Sequence, residues 1–251
     1  MRPDIREITA RSVLSKSGIP GMKYCVNPYV GCSHGCRYCY ATFMKRFTGH
    51  IEPWGSFVDV KINTPEVLRR QLKRAEKGTV MVSSVTDAYQ PVEARYELTR
   101  TCLDILSLFK FPVSILTKSP LVLRDMDIIS KLDDAEVGLT ITTDDDRIRK
   151  IFEPFAPPVP ARIDALKKLH NAGIHTYVFI GPLLPMNPES LAQQIRPHAD
   201  SILIDRMNYL SKTEWLYKKN GLVKWLDTDF IDDIIARLGK NLSTKDISVI
   251  C

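Results

Sequence analysis

The chain carries no apolar run long enough to cross a bilayer. Its longest, near Tyr177 to Met186, is broken by Gly181, Pro182 and Pro185, and falls short of the ~20 residues a spanning helix needs. The opening residues, Met1-Arg2-Pro3-Asp4-Ile5-Arg6-Glu7, lead into no apolar core of signal-peptide length, so a cytoplasmic location with no membrane partner is expected. No repeat, low-complexity tract or long Gly/Ser linker marks a domain boundary. Cysteine is scarce, at six in 251 residues. In a reducing compartment so few thiols are ligands, nucleophiles or small buried side chains rather than a disulfide framework.

What is present is the material of a folded protein: 44% hydrophobic and 25% charged residues. The net charge of +6 is concentrated in residues 1–50, which hold eight bases against two acids, while the remainder has 27 of each. Such a field attracts anionic partners, nucleic acid among them, although similar clusters are also ordinary solvated surface.

Short β-branched or apolar runs alternate with helical segments. Candidate strands are Lys23 to Val26, Thr79 to Ser83, Pro112 to Thr117, Glu136 to Thr142, Thr176 to Ile180 and Ser201 to Ile204. Candidate helices run from Pro65 to Glu76, Arg95 to Phe109, Leu121 to Lys131, Ala161 to Ala172 and Pro188 to Ile195. The strands read as nearly continuous apolar runs, as expected when both faces are covered, and the order predicts a parallel α/β sheet, either an incomplete barrel or a doubly wound sheet. In both, the loops after the carboxyl ends of the strands form the active face. Polar residues gather there: Ser84, Thr86 and Asp87, then Lys118, then Thr140 to Asp146, then Asp205 to Asn208. Asp, Ser and Thr also cap helices, but Lys118 at a helix amino end would oppose the dipole.

After the first candidate strand comes Asn27-Pro28-Tyr29-Val30-Gly31-Cys32-Ser33-His34-Gly35-Cys36-Arg37-Tyr38-Cys39-Tyr40-Ala41. Three thiols spaced C-x3-C-x2-C would arise by chance about 0.003 times in a chain of this length and cysteine content. A zinc site would need a fourth ligand, nominally His34. A ferredoxin-type cluster would need a fourth cysteine, from Cys25, Cys102 or Cys251. A 4Fe-4S cluster on three thiolates instead leaves one iron open to chelate the amino and carboxylate groups of S-adenosylmethionine (SAM).

This loop, with Tyr38 before its last cysteine, resembles the signature of the radical SAM superfamily. The resemblance implies a partial (β/α)6 TIM-like barrel. It also implies a low-potential cluster that reduces SAM, with a one-electron reductant of flavodoxin or ferredoxin type, so that the 5′-deoxyadenosyl radical takes hydrogen from a substrate. More narrowly, residues 27–208 resemble the spore photoproduct lyase-like branch, related to DNA-repair photolyases. The carriers are the cysteine loop, Thr86-Asp87-Ala88-Tyr89-Gln90-Pro91-Val92-Glu93, Leu98-Thr99-Arg100, Leu116-Thr117-Lys118-Ser119-Pro120 and Arg124-Asp125. Further carriers are Thr140-Ile141-Thr142-Thr143, Glu153-Pro154-Phe155-Ala156-Pro157-Pro158 and Gly181-Pro182-Leu183-Leu184-Pro185.

The resemblance implies that Cys32, Cys36 and Cys39 ligate the cluster and that Tyr38 packs by the adenine. Ser84, Thr86 and Asp87 would meet the methionyl amino group, Lys118 the carboxylate or ribose, Thr142 the ribose hydroxyls, and the backbone of Ile180 and Gly181 the adenine. Spore photoproduct lyases carry a hydrogen-returning cysteine where this chain has Val85, so a different substrate is expected, nucleic-acid-related in view of the basic first fifth. Tyr89 and Tyr96 are candidates for redox partners. The expected organisation is a single domain: a basic extension (1–22), a barrel core (23–208) and a helical cap (209–251), with an amphipathic helix from Asp227 to Leu238 closing the open side. The tail's Trp215, Tyr217, Lys218, Lys219 and Trp225 would also suit a nucleic-acid strand. Two other classes use the same cysteines: a non-catalytic zinc- or cluster-stabilised nucleic-acid-binding module, and an electron carrier, which would need four ligands and far fewer residues.

Overall fold

The computed structural model describes residues 3–242 and 245–250, so Cys251 lies outside the described residues. In chain order the strands are β1 (Asp4–Ile8), β2 (Leu14–Lys16), β3 (Tyr24–Val26), β4 (Tyr29–Val30), β5 (Phe57–Lys61) and β6 (Val80–Val82). They continue as β7 (Val113–Thr117), β8 (Ala135–Thr140), β9 (His175–Ile180), β10 (Ser201–Asp205) and β11 (Asp246–Ile250). The helices are α1 (Lys45–Thr48), α2 (Thr64–Leu72), α3 (Glu93–Tyr96), α4 (Leu98–Leu108) and α5 (Met126–Ile129). After them come α6 (Asp146–Phe152), α7 (Val159–Asn171), α8 (Pro188–Ile195), α9 (Leu210–Lys219) and α10 (Thr228–Leu242). Among the described residues no helix is long and apolar enough to cross a membrane.

Strands β3, β6, β7, β8, β9 and β10 lie side by side in parallel, which is the (β/α)6 order expected. The sheet stays open, with β2 antiparallel on one edge and β11 parallel on the other. The tail is helical as expected, and it also supplies β11. Helix α10 packs against α8, where Arg237 pairs with Glu189 at 2.7 Å. A second sheet, β1-β5-β4, braces the start of the cysteine loop.

The strands alternate more than their sequence suggested. One face carries Val80, Val82, Val113, Ile115, Val137 and Leu139, all essentially inaccessible in the main core. The other presents Met81, Ser114, Leu116, Glu136, Thr140 and Tyr177 to a cavity. A partial barrel covers its outer face with helices and leaves its inner face for a ligand, so only half of each strand is core.

Two expected helices are divided. The run from Arg95 breaks at Glu97, in the left-handed region at φ 49°. The carboxylate of Glu93 then caps α4, accepting from Thr99 N at 2.9 Å and Arg100 N at 3.3 Å. The run from Leu121 begins as a 3-10 turn, Pro120–Asp125, before α5. Buried Asp125 there accepts from Arg100 and Arg124.

Candidate active site

Two glycines let the chain wrap the cysteine loop. Gly31 sits at φ +81°, and a Cβ there would lie 2.5 Å from the Phe57 carbonyl oxygen, so no larger residue fits without moving backbone. Gly35, at φ +60°, is approached so closely by Gly55 that a Cβ on the latter would stand 2.8 Å from its Cα. The loop closes on itself through Gly35 N to Cys32 O (3.3 Å) and Cys39 N to Cys36 O (3.1 Å).

The rest of the molecule then holds this loop. Gln90, fully buried, accepts from Ser33 N at 2.9 Å and donates to Gly31 O at 3.1 Å and to Thr86 Oγ1 at 2.8 Å. Thr86 Oγ1 itself donates to Gly31 O at 2.6 Å. From the tail, Lys212 on α9 donates to Cys39 O at 2.9 Å and Thr42 Oγ1 at 2.8 Å. Leu216 and Tyr217 bury themselves with Cys36, Tyr38 and Phe152. Coverage of the cysteine side thus comes from α9, whereas α10 lies against α8.

At the carboxyl ends of the strands, and running between them, lies a cavity of about 710 Å³. Cys32, Cys36 and Cys39 all line it. So do Tyr38, Ser84, Thr86, Asp87, Lys118 and Gly181. Three soft thiols on one wall are a donor set suited to an iron-sulfur cluster. Burial lifts the Cys36 and Cys39 thiols to about 11, so metal binding must release their protons. The other described cysteines do not join them: Cys25 is buried on β3 and Cys102 is sealed in the core on α4.

Four residues singled out from the sequence stand off the cavity. Thr142 is fully buried and donates to Glu153 Oε1 at 3.0 Å, while Thr140 takes the cavity-facing place. The side chain of Ile180 is in the main core, which leaves only its backbone, at the end of β9 beside Gly181, for the adenine contact. Tyr96 donates to Glu7 at 2.8 Å on the surface. Tyr89 is buried beside a separate hollow behind the cysteine loop. Neither tyrosine lines the cavity. Val85 does line it.

Charges are arranged tightly around this wall. Asp87 Oδ1 accepts from Tyr89 N (2.9 Å) and Thr117 Oγ1 (2.6 Å), and Oδ2 accepts from Lys118 N (2.9 Å). Burial opposes its ionisation, but His34 Nδ1, 3.4 Å from Oδ2, and these hydrogen bonds hold the acid below the usual carboxylate range. The Lys118 ammonium lies 5.7 Å from the Tyr38 ring centroid, and no carboxylate among the described residues forms a salt bridge with it. Burial disfavours that cation, yet Cys36 and Glu153 outweigh the penalty and raise its pKa.

Behind Tyr38 lies a cluster that sequence reading missed. Glu153 and Arg162, both inaccessible, form an ion pair; Tyr38 donates to Glu153 Oε1, and Arg162 Nη1 donates to Thr140 O at 3.0 Å. Burial works to raise the Glu153 pKa, but Arg162 and Lys118 win and hold it at about 2. This cluster fixes the Tyr38 hydroxyl.

Comparison with known proteins agrees with this geometry. Residues 26–196 match the radical SAM superfamily. An uncharacterised protein of Methanocaldococcus jannaschii is 39% identical over 214 residues, covering 84% of this chain and 81% of that relative. One from Mycobacterium tuberculosis is 32% identical over 204 residues, covering 75% of this chain; the match spans 60% of the relative's length. A spore photoproduct lyase mutant with a dinucleoside spore photoproduct shares the fold at TM-score 0.70 and 13% identity, covering 98% of this chain and 82% of that one. Streptococcus suis SuiB bound to S-adenosylmethionine does so at TM-score 0.55 and 12% identity, covering 100% and 51%. With most of its length and its cysteine loop within the match, this chain belongs to the radical SAM superfamily, enzymes that use SAM and an iron-sulfur cluster for radical chemistry.

Proposed function

We propose that Cys32, Cys36 and Cys39 hold a 4Fe-4S cluster with one iron open to SAM, and that the enzyme abstracts hydrogen from a nucleic-acid-related substrate. When bound, this pair of groups supplies a 5′-deoxyadenosyl radical through one-electron reduction by a flavodoxin- or ferredoxin-type donor. The observation that carries the reading is the shared wall: three thiols and a Lys118 without a salt bridge among the described residues, on one cavity.

The chain's own residues have distinct tasks in this reading. Lys118 binds the SAM carboxylate as a charge-assisted partner. A carboxylate accepts about four hydrogen bonds. Asp87 has two that hold the end of β7 in place and one from Tyr89 N in its own loop, with His34 at 3.4 Å from Oδ2; the remaining lone pair on Oδ2 is left for the methionyl ammonium alongside Ser84 and Thr86. Tyr38 and Gly181 border the adenine. Thr140 replaces Thr142 as the hydroxyl turned to the ribose, because Thr142 is engaged with Glu153.

The substrate class rests on the surface beside the cavity. Tyr40 lines its rim, and Tyr40, Phe43 and Phe47 form an exposed ladder with ring centroids 6.3 and 6.2 Å apart. Lys45 and Arg46 lie between the last two rungs in sequence. Stackable rings beside cations suit bases joined by phosphates, and such contact weakens steeply with added salt. Val85 supplies no thiol to return hydrogen, which supports a reaction other than photoproduct reversal.

Anaerobically reconstituted protein should release 5′-deoxyadenosine when given dithionite and SAM. Lys118→Met should raise the SAM concentration needed by about tenfold, the loss of one charge-assisted contact, with iron and sulfide content unchanged. An unaltered SAM dependence would remove Lys118 from the site.

A further inference from the structure

The inner end of the cavity differs in chemistry from the end that carries the thiols. Strand register places Glu136 between Ser114 on β7 and His175 on β9, and sets Gly138 beside Tyr177. Ser114 Oγ donates to Glu136 Oε1 at 2.7 Å and stands 3.5 Å from the Tyr177 hydroxyl. A Cβ at residue 138 would lie 2.2 Å from the Tyr177 ring, so Gly138 makes the room in which that ring packs. Glu136 Oε2 has no hydrogen-bond or salt-bridge partner among the described residues. Ser201 adds a further hydroxyl to the same lining.

Charge sorts the two ends. The basic side chains on the cavity are His34 in the cysteine loop, paired with Asp87, and Lys118 and Arg206, both after the carboxyl ends of their strands, with Arg206 paired with Asp232. The inner end has the Glu136 carboxylate, hydroxyls and the ring of Tyr177, with no lysine or arginine among the described residues lining it. A phosphate would be repelled there. A half-buried carboxylate with one oxygen left without a partner among the described residues favours a group that donates hydrogen bonds.

We propose that this inner end is a recognition pocket for a planar group presenting two adjacent N–H donors, as an amidine, a guanidine or the amino-imino edge of a purine base does, with Glu136 as the acceptor that selects it. Ser114 takes one lone pair of Oε1, which leaves the other lone pair of that oxygen and Oε2 to accept the two donors, and the Tyr177 ring holds the plane. This specifies the substrate end of the site proposed above and rests on that reading, but its test does not depend on SAM cleavage.

The probes are benzamidine and benzoate, which share a shape and differ in charge, with guanosine and inosine, which differ by the exocyclic amine. They are titrated against the reconstituted protein with SAM by ligand-observed NMR. Benzamidine should bind saturably, and benzoate at least about tenfold more weakly. Glu136→Gln, close in shape and checked by thermal unfolding, should weaken benzamidine about tenfold or more. Glu136→Asp should keep the preference for benzamidine over benzoate. Guanosine binding well above inosine would assign the donor pair to a base, and benzamidine binding without guanosine to an amidine or guanidine; either supports the pocket. Benzoate binding as tightly as benzamidine, an unchanged affinity in Glu136→Gln, or no saturable probe would overturn it. Release of 5′-deoxyadenosine with any of these results would leave the radical SAM reading standing on its own.

Discussion

Cys36→Ala should abolish iron-sulfur incorporation and 5′-deoxyadenosine release together. The loop offers three thiols to the cavity, and with one gone the remaining pair cannot anchor a cluster at three irons. The fold should survive, because Cys36 contributes one small side chain to a cluster otherwise built from Tyr38, Phe152, Leu184, Leu216 and Tyr217. Cys102→Ala is the matched control: that thiol is sealed in the core on α4, so iron and sulfide content should stay at the wild-type level. Metal analysis and visible absorption after anaerobic reconstitution check both variants. Cluster retained in Cys36→Ala, or lost in Cys102→Ala, would mean that the ligands are misassigned.

Arg162→Met should cost about 3–5 kcal/mol, the scale for breaking a buried ion pair by removing one partner. Arg162 and Glu153 are both inaccessible, and Glu153 also takes hydrogen bonds from Tyr38 and Thr142. Methionine approximates the volume but strands the carboxylate. In a protein of this size the loss should lower the unfolding temperature by about 10 °C. The pair also sets an acid limit. Glu153 is held at about 2, against 4.5 for the free side chain, so the unfolded chain binds more protons between those values. Its stabilising contribution is therefore complete above pH 4.5 and is lost as pH falls through about 2. Arg162→Met should lack this contribution and show a weaker loss of stability over that window. Denaturant titrations at several pH values measure it, and an unfolding temperature within 2 °C of wild type would contradict the role given to the pair.

The cysteine loop was fully legible in the sequence, because ligand spacing is local and the chance of that spacing is small. The six parallel strands were legible within one or two residues, since β-branched runs and helical periodicity are local as well. The hollow was not. Met81, Ser114, Leu116 and Tyr177 read as parts of apolar runs, and only the closing curvature of the sheet separates the face they line from the core face of Val80, Val113, Val137 and Val178. That ambiguity also displaced the ribose-side threonine. Strand β8 ends at Thr140, and Thr142 turns to Glu153, a partner eleven residues away that no pattern within β8 announces. Gln90 is a related case: its one available sign was its place four residues after Thr86, in the same loop, and its bonds to Ser33 and Gly31 cross nearly sixty residues. Strand β5, a short β-branched run at Phe57-Val58-Asp59-Val60, is absent from the candidate strands although its signal is local, and it forms the wall against which Gly31 is tight.

The central claim is that a three-thiolate cluster presents an open iron to SAM. It is tested most directly by electron paramagnetic resonance of the reduced, anaerobically reconstituted protein before and after SAM is added. The account predicts a reduced 4Fe-4S signal whose g values change on addition of SAM, as a new ligand occupies the open iron. A cluster signal that SAM leaves unchanged, or a preparation that binds zinc and gives no cluster signal, would contradict it.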